Sequence, residues 1–348
     1  MTTVISEFLE TIEISDFSAT PKYQQLVDSI IEGVQCKKFS KGDLLPSINE
    51  VSMYLEVSRD TVEKAYKHLK NAGIISSIPG KGYFVAKNDV QKKLKIALFL
   101  NKLSAHKKIV YDAFAKELGD EASLDLFVYN SDISLLRRLF HNLNKQYDRY
   151  VVFPHFKEGR DQAPEVLSLL PEDKLILLGK HIDGINDKVD CVYENYEKDI
   201  YEALEKFVQY LSQYELIKLI FPDHSDYPKA IIKGFYKFCN QYALEHILVG
   251  DLSKEPLKAG ECYINLAESD LELLLEKSIK TGLKIGEDIG IISYNETALK
   301  KFILDGIATI STDFELMGKS AAQLIKNNEK KQVEVPFYAN IRPSVMRK

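Results

Sequence analysis

One short stretch of the chain combines the side chains that proteins use to bind nucleic acid. In order, these residues are Ser58, Arg59, Asp60, Thr61, Lys64 and Lys67. An arginine can donate two hydrogen bonds to guanine, and hydroxyl groups, backbone amides and lysines bind phosphate oxygens. The same composition is also typical of a solvated helix surface, so the stretch alone leaves both interpretations open.

A second set of polar side chains follows the apolar segments of the chain after residue 95. Its members are Asn101, Lys102, His106, Pro154, His155, Glu194, Asn195, Asp223, His224, Tyr227, Ser269, Asp270 and Asn295. Amides, carboxylates and imidazoles supply paired donors and acceptors, and tyrosine supplies an aromatic face, which together suit sugar hydroxyls. Polar residues are common at strand ends in any protein, so the set indicates a binding site only if the fold brings its members together.

Three helices are predicted around the first set. They cover residues 22–36, 48–55 and 58–71. Ser47 and Glu50 form a capping-box pattern at the second helix, and Gly73 stands where the end of the third helix favours a left-handed residue. Two short strands follow over Ile74–Val85. This order predicts a winged helix-turn-helix with the third helix as recognition helix. The tip of the wing is formed by Gly80, Lys81 and Gly82.

Beyond a polar linker at 88–94, apolar strand candidates alternate with amphipathic helices. The strand candidates are 95–100, 124–129, 150–153, 174–178, 189–193, 216–221, 247–249, 262–266, 289–294 and 307–310. The predicted helices include 107–118, 196–213, 227–243, 270–281 and 313–327. The alternation predicts an α/β fold with parallel sheets, and ten strands over about 250 residues suit two lobes. Ligands of such folds bind at the carboxyl ends of the strands.

The charge distribution supports this division. The chain of 348 residues carries a net charge of −5, which is unusual for a protein that binds nucleic acid. Residues 21–93 hold twelve basic and eight acidic side chains, whereas residues 1–20 hold four acidic and no basic ones. The basic excess therefore lies on the predicted winged domain. The acidic arm, with four apolar residues between 8 and 14, is either a short element packed on a neighbour or a frayed tail.

Several classes of protein are excluded by what the sequence lacks. The four cysteines have no metal-ligand spacing, no apolar run reaches the length of a membrane span, and the acidic start has no apolar core of a signal peptide. We expect a reduced, cytoplasmic protein without metal or cofactor. The residues at 223–226 suggest a metal or hydrolase site, but no HExxH, GxSxG, GxGxxG or phosphate-loop motif accompanies them, so we expect no enzyme.

The segment 21–87 resembles the DNA-binding domain of the GntR family. The matching pieces are Leu45-Pro46-Ser47, Val57-Ser58-Arg59-Asp60-Thr61-Val62, Ala72-Gly73-Ile74-Ile75 and Gly80-Lys81-Gly82-Tyr83-Phe84-Val85. The resemblance implies DNA contacts at Ser47, Ser58, Arg59, Asp60, Thr61 and the wing from Gly80 to Gly82. Asn49 and Glu63 stand where the family often has arginine, so its usual operator sequence is not implied. Asn49 could bind phosphate or adenine, and Lys64 could supply the missing cation.

The segment 95–348 resembles the effector domain of LacI-type regulators, which has a periplasmic-binding-protein-like fold. The stretches that carry the resemblance are 285–295, 308–318 and Ile341-Arg342-Pro343-Ser344, the last resembling a terminal strand. At the family's ligand positions stand Asn295, which replaces an aspartate, Ser269, and Thr312 and Phe314 on the hinge side. An arginine that the family often carries is Ile231 here. Lys229 or the 223–227 loop could replace that arginine, and the ligand's identity stays open.

A winged domain joined to such a sensor resembles arabinose- or fucose-responsive repressors. The resemblance implies a bacterial repressor of a carbohydrate operon, which a monosaccharide releases from double-stranded operator DNA. A homodimer is expected because one recognition helix buries too little surface for tight, specific binding. The alternatives are a sensor for a nucleoside or sugar phosphate, and an enzyme with a hydrolase-like site. The predicted organisation is an arm at 1–20, a winged domain at 21–87, a linker at 88–94 and a two-lobed sensor at 95–348.

Overall fold

The amino-terminal part of the chain forms a winged helix-turn-helix. The computed structural model describes residues 8–12, 14–16, 18, 20–88, 93–143, 147–185, 189–222, 225, 227–327 and 331–347. The helices of the winged domain are α1 (Lys22–Gln35), α2 (Ile48–Tyr54) and α3 (Arg59–Asn71). Its antiparallel sheet has the order β1-β3-β2, with β1 (Leu44–Leu45), β2 (Ile75–Ile78) and β3 (Gly82–Val85).

Local signals in the sequence fix the ends of these helices. The predicted capping box is confirmed: the Ser47 amide donates to the Glu50 carboxylate at 2.7 Å, and the Glu50 amide donates to Ser47 Oγ at 3.3 Å. Gly73 has a φ of +67°, which is the left-handed conformation expected after α3. The hydroxyl of buried Tyr66 donates to the Pro46 carbonyl at 2.8 Å, which ties α3 to the start of α2.

The arm belongs to the winged core. Residues 8–11 are helical, and Phe8 and Ile12 are buried among the apolar side chains of the winged domain. The ring of Phe8 lies 4.8 Å from that of Phe39, measured between ring centroids. Of the two expectations for the arm, the structure therefore supports packing on a neighbour.

The first lobe of the sensor is a parallel sheet in the order β14-β8-β7-β6-β4-β5. Its strands are β4 (Leu94–Leu100), β5 (Ala122–Val128), β6 (Arg149–Val152), β7 (Leu175–Gly179), β8 (Asp190–Tyr193) and β14 (Gln332–Glu334). The helices that accompany it are α4 (Ala105–Leu118), α5 (Ile133–His141), α6 (Ala163–Leu167) and α11 (Phe314–Asn327).

The second lobe is a sheet in the order β10-β9-β11-β12-β13-β15, in which the last strand is antiparallel to its neighbour. Its strands are β9 (Leu216–Ile220), β10 (His246–Val249), β11 (Glu261–Asn265), β12 (Gly290–Tyr294), β13 (Ala308–Thr312) and β15 (Phe337–Asn340). Its helices are α7 (Tyr196–Glu205), α8 (Val208–Leu211), α9 (Ala230–Gln241) and α10 (Glu268–Thr281).

The chain passes between the lobes three times. It crosses after β8, again between β13 and α11, and a third time between β14 and β15. Helix α11 therefore follows a strand of the second lobe but packs on α4 of the first, within the same apolar cluster. These three crossings form the hinge of the sensor.

All ten predicted sensor strands are confirmed, with ends shifted by one or two residues. The predicted strand at Ile341-Arg342-Pro343-Ser344 is wrong, because β15 ends at Asn340 and residues 343–345 form a 3-10 turn that begins with proline. The predicted helix over 196–213 is divided, because Phe207 between α7 and α8 turns its fully buried side chain into the core. The sequence did not reveal the edge strand β14 or the edge strand β15, which lies before the strand expected at 341–344.

The winged domain contacts the first lobe directly. Thr20 Oγ1 donates to the Leu124 carbonyl at 3.3 Å, and Lys95 at the start of the sensor forms an ion pair with Glu32 of α1. Among the described helices, none has the length and apolar composition needed to cross a membrane.

Candidate functional site

The recognition helix α3 presents one apolar and one polar side. Val62, Ala65, Tyr66 and Leu69 are buried in the winged core. Arg59, Asp60 and Lys67 are exposed to solvent. The helix therefore packs through its apolar face and leaves predicted DNA contacts accessible.

The start of α3 is held by its own hydroxyl groups. The Thr61 amide donates to Ser58 Oγ at 3.2 Å, and the two hydroxyl oxygens lie 2.8 Å apart. Ser58 is exposed and Thr61 is half-buried, so both can still meet a phosphate. Lys64 lies with its Nζ 3.9 Å from the ring centroid of Tyr23, which holds this cation against α1.

The wing tip has the backbone that its glycines predict. Gly80 and Gly82 have φ values of +77° and +93°, which side chains other than glycine rarely adopt. Apart from the two neighbours of Gly80 in the chain, no described residue has an atom within 4 Å of the position that a Cβ of Gly80 would take, so the turn is open on that side. Lys81, Ser47 and Asn49 are also exposed. Every predicted DNA contact therefore has accessible surface, and their roles in DNA binding stay a prediction.

A cleft at the carboxyl ends of the strands contains about 40 Å³ of free space between the lobes. Its lining comprises Asn101, Lys102, His106, Lys107, His155, Glu194, Tyr196, Tyr227, Pro228, Tyr294, Asn295 and Phe314. Six of these were in the predicted ligand set: Asn101, His106, His155, Tyr227, Asn295 and Phe314. The space holds only a few water molecules, so a larger ligand must displace side chains or separate the lobes.

Other members of the predicted set lie elsewhere. Asn195 bonds to Glu334 through its side chain, and Thr312 bonds to Glu194. Ser269 and Asp270 lie in the first turn of α10 and do not line the cleft. Asp223 and His224 lie outside the described residues. The prediction missed Lys107, Tyr196, Pro228 and Tyr294, and it named Lys102 and Glu194 only as strand-end residues.

Several buried polar atoms of the cleft have no hydrogen-bond partner among the described residues. Among them are His155 Nε2, the Tyr294 hydroxyl and Asn295 Oδ1. These side chains are 8%, 2% and 5% exposed, so bulk water does not satisfy them. A buried polar atom without a partner costs about 1–3 kcal/mol. A ligand rich in hydroxyl groups could offer each atom a donor or an acceptor.

The imidazoles of the cleft are held neutral by their surroundings. Burial, reinforced by the charge of Lys107, places the pKa of His155 and that of His106 well below the ordinary histidine value. A neutral imidazole has one donor and one acceptor nitrogen, which suits a hydroxyl group. Gly179 makes room for His155, because a Cβ at this position would lie 2.8 Å from Nε2.

Aromatic rings form two walls of the cleft. The ring of Phe314 stacks on His106 with 4.9 Å between centroids. Tyr227 packs edge-on against Tyr294 at 6.1 Å, and its hydroxyl donates to the Leu266 carbonyl at 2.9 Å. Lys102 of the first lobe lies 5.4 Å from the ring centroid of Tyr227 in the second. The cleft therefore joins apolar ring faces to polar groups, as small-molecule sites commonly do.

Glu194 joins the cleft to the hinge. Its Oε1 accepts a hydrogen bond from Thr312 Oγ1 at 2.5 Å, and its Oε2 accepts one from the Tyr196 hydroxyl at 2.8 Å. Glu194 lies on the first crossing of the hinge and Thr312 on the second. Burial raises the pKa of Glu194, although both hydrogen bonds and Lys107 favour its charged form. A ligand that binds the Glu194 carboxylate therefore contacts the first crossing directly and the second through Thr312.

Asn295 is held in the cleft in a strained conformation. Its φ is +64°, and buried Lys300 donates to its carbonyl at 2.6 Å and to that of Tyr294 at 3.2 Å. Lys300 in turn pairs with Glu268 at 2.8 Å. Local strain of this kind persists where the surrounding structure imposes it. Lys300 therefore positions the residue that follows β12.

Comparison with known proteins identifies the amino-terminal domain. The model of the gntR family of bacterial regulatory proteins matches residues 22–85. The HTH-type transcriptional repressor YtrA of Bacillus subtilis is 35% identical over 77 residues, which are 22% of this chain and 59% of that protein. The uncharacterized HTH-type transcriptional regulator YhcF of the same species is 31% identical over 103 residues, which are 29% of this chain and 81% of that protein.

The chain belongs to the gntR family of bacterial regulatory proteins. Its sensor has the fold of LacI-type regulators. A LacI family regulator from Enterococcus faecium with bound ribose has a TM-score of 0.58 at 17% identity, covering 73% of this chain and 99% of that one. The lac repressor dimer bound to operator has a TM-score of 0.60 at 16% identity, covering 74% and 95%.

This gntR-family protein is thus a DNA-binding transcriptional regulator. Its relatives and structural neighbours are transcriptional regulators and not enzymes, as the sequence predicted. The predicted combination of a GntR-type winged domain with a LacI-like sensor fold is confirmed. Among the described residues, no group of three or more histidines, cysteines or carboxylates could hold a metal ion.

We predict that Asp199 on α7 contributes a loss of stability as the pH rises from about 4 to about 7, opposite in sign to the contribution of the neutral His106 and His155. Burial, followed by the charge of Glu194, raises the pKa of Asp199 to about 7 from its ordinary 3.8. The folded state therefore binds this proton more tightly than the unfolded state, and the slope reaches about 1.4 kcal/mol per pH unit. Urea unfolding midpoints measured from pH 4 to pH 8 test this.

Asp199→Asn should remove that contribution, so that its stability matches the wild type near pH 4 and exceeds it by a growing margin up to pH 8. Glu197→Gln, at an exposed position of the same helix, is the matched control and should follow the wild type. Identical pH profiles for Asp199→Asn and the wild type would contradict the role given to Asp199.

Proposed function

We propose that the regulator represses a carbohydrate operon and that a monosaccharide releases it from operator DNA. The observation that carries the effector half of this proposal is the trio of unpartnered buried atoms of His155, Tyr294 and Asn295. Sugar hydroxyls both donate and accept, so one sugar can satisfy a neutral imidazole, a phenol and an amide oxygen together. The aromatic walls at Tyr227 and Phe314 suit the apolar face of a sugar ring.

The DNA half of the proposal rests on α3 and the wing. Arg59 and Asp60, at the start of an exposed helix face, would reach base edges in the major groove. Ser47, Asn49, Ser58, Thr61, Lys64 and Lys67 would bind phosphates, and Gly80, Lys81 and Gly82 would bring the wing backbone close to DNA. A cytoplasmic location follows from this function, because operator DNA lies in the bacterial cytoplasm.

Effector and DNA would be coupled through the hinge. A sugar that enters the cleft must displace side chains or separate the lobes, and it would act on Glu194, which is bonded to Thr312 of the neighbouring crossing. The first lobe would then turn relative to the second. The winged domain would move with the first lobe, to which Thr20 and Glu32 attach it. A coupling of about 1–3 kcal/mol would change operator affinity roughly 5- to 150-fold.

A second copy of the chain would bind through an apolar surface of the second lobe. Leu299, Phe302 and Leu304 are 72%, 81% and 54% exposed within six residues. Exposed apolar side chains that cluster in this way mark contact sites on soluble proteins. Two winged domains would then bind the two halves of one operator.

Arg59→Ala should weaken binding to the regulator's own promoter fragment by about tenfold or more, because a bidentate arginine–guanine contact is worth about 1–3 kcal/mol. The thermal midpoint should stay unchanged, because Arg59 is exposed. Fluorescence anisotropy with a labelled fragment measures the first effect, and calorimetry the second.

The matched control is Arg149→Ala, which removes an arginine of the first lobe. It should leave promoter binding unchanged. Full binding by Arg59→Ala would show that α3 is not the recognition helix.

Tyr294→Phe should weaken the response to the effector without destabilising the empty protein, since its hydroxyl has no partner among the described residues. A panel of monosaccharides and their derivatives, screened by thermal shift, identifies the compound that stabilises the wild type. Its affinity for Tyr294→Phe should fall about tenfold, the cost of an unmade buried hydrogen bond.

Tyr214→Phe is the matched control, because the Tyr214 hydroxyl donates to the Val345 carbonyl at 3.1 Å and does not line the cleft. This variant should lose about 1 kcal/mol of stability and keep its affinity for the same compound. If Tyr294→Phe kept its affinity for the compound and Tyr214→Phe lost it, the effector would bind outside the cleft.

Phe302→Asp should yield a monomer in sedimentation velocity and weaken promoter binding. A charged side chain at the centre of an apolar contact would be buried without a partner. Leu169→Asp, at a 43% exposed position of the first lobe, should remain dimeric. A dimeric Phe302→Asp would exclude this surface as the contact between copies.

A further inference from the structure

The described residues that line the cleft carry an excess of positive charge, although the chain as a whole is acidic. A second chamber of about 380 Å³ adjoins the inner cavity, and Tyr227 lines both. Among the described residues that line the two spaces, the basic side chains are Lys102, Lys107, Lys157, Arg160 and Lys229. The acidic ones are Glu158 and Glu194. The lining residues therefore carry a net positive charge, whereas the whole chain carries a net charge of −5.

The positive charge of the outer chamber is only partly matched by acidic groups. Among the described residues, neither Lys157 nor Lys229 forms an ion pair with a carboxylate, whereas lysines such as Lys198 and Lys319 do. Arg160 is held in place by donating to the Phe156 carbonyl at 2.9 Å and to the Ser225 carbonyl at 3.0 Å. The last bond crosses from the first lobe to the second. The chamber therefore combines a fixed guanidinium with two ammonium groups.

The inner cavity and the outer chamber suit different parts of one ligand. The inner cavity holds the unpartnered atoms of His155, Tyr294 and Asn295, which suit hydroxyl groups. A neutral sugar would form no ion pair with the positively charged side chains of Lys157, Arg160 and Lys229. An anionic group bonded to guanidinium and ammonium gains charge-assisted hydrogen bonds, which are about twice as strong as neutral ones.

We propose that the effector is a sugar derivative with an anionic group, a phosphate ester or a carboxylate, which binds Lys157, Arg160 and Lys229. Its hydroxyl groups occupy the inner cavity beside Tyr294. This inference rests on the proposed function and narrows the class of effector. Because Arg160 also bonds to Ser225 of the opposite lobe, the anion would bind beside a contact that holds the cleft closed.

The test is a thermal-shift screen of the full-length protein with matched compounds. Each set contains a neutral sugar, its phosphate ester and its sugar acid, for example glucose, glucose 6-phosphate and gluconate, or arabinose, arabinose 5-phosphate and arabinonate. Inorganic phosphate is included as an anion without a sugar. We expect an anionic member to raise the melting temperature more than its neutral parent, and the stronger of the two anions identifies the source of the charge.

Variants then assign the effect to the outer chamber. Lys157→Met and Lys229→Met should each weaken the binding of the anionic compound about tenfold or more, measured by calorimetry. Lys233→Met is the matched control, because Lys233 is an exposed lysine on the same helix, α9, and does not line either space. It should bind like the wild type.

Two results would overturn the proposal. If a neutral sugar binds as tightly as its anionic derivatives, the proposed control by a monosaccharide stands, but the proposed anionic group is contradicted. Unchanged affinity in both Lys157→Met and Lys229→Met would exclude the outer chamber. Absence of any shift with every sugar and every anion would count against the proposed sugar effector as well.

Discussion

The hydrogen bond between Glu194 and Thr312 is the contact on which the sensor depends. It joins residues that are 118 positions apart, at the ends of strands in different lobes. Glu194 also lines the cleft, so the same carboxylate faces the ligand space and the hinge. Burial raises its pKa, and hydrogen bonds from Thr312 and Tyr196 oppose that effect. The bond therefore sets the separation of two crossings, and any group that competes for the carboxylate changes it.

The cleft contains buried polar atoms that have no hydrogen-bond partner among the described residues. His155, Tyr294 and Asn295 keep polar atoms buried without partners, and Asn295 is held at positive φ by Lys300. Stability alone would select against such an arrangement, because each unmade hydrogen bond costs about 1–3 kcal/mol. Binding sites carry such costs because the ligand removes them. The geometry therefore favours a molecule with several hydroxyl groups over an apolar one.

Local chemistry made the winged domain predictable from the sequence. The capping box at Ser47 and Glu50, the left-handed Gly73 and the alternation of β2 and β3 each depend on neighbours within a few residues. The sensor strands were predictable for the same reason, since their apolar runs are short and bounded. Edge strand β14 was not predicted, because its three residues pair with a neighbouring strand along one side only and show no apolar run.

The cleft was predictable only in part. His155 and Asn295 follow strands and could be found from that position alone. Tyr294 closes a strand whose residues are all buried, so its sequence context is that of a core residue. Lys107 lies in the first turn of α4 and resembles a solvated helix lysine until its ammonium is seen 3.3 Å from the ring centroid of Phe153. Contacts of this kind depend on tertiary packing, which no local pattern records.

The most direct test of the account measures the coupling between effector and operator in both directions. The compound that stabilises the wild type should weaken binding of the promoter fragment by roughly 5- to 150-fold. The promoter fragment should weaken binding of that compound by the same factor, because coupling of two sites is reciprocal. Equal affinity for the compound with and without saturating promoter DNA would contradict the claim that the cleft controls the winged domain.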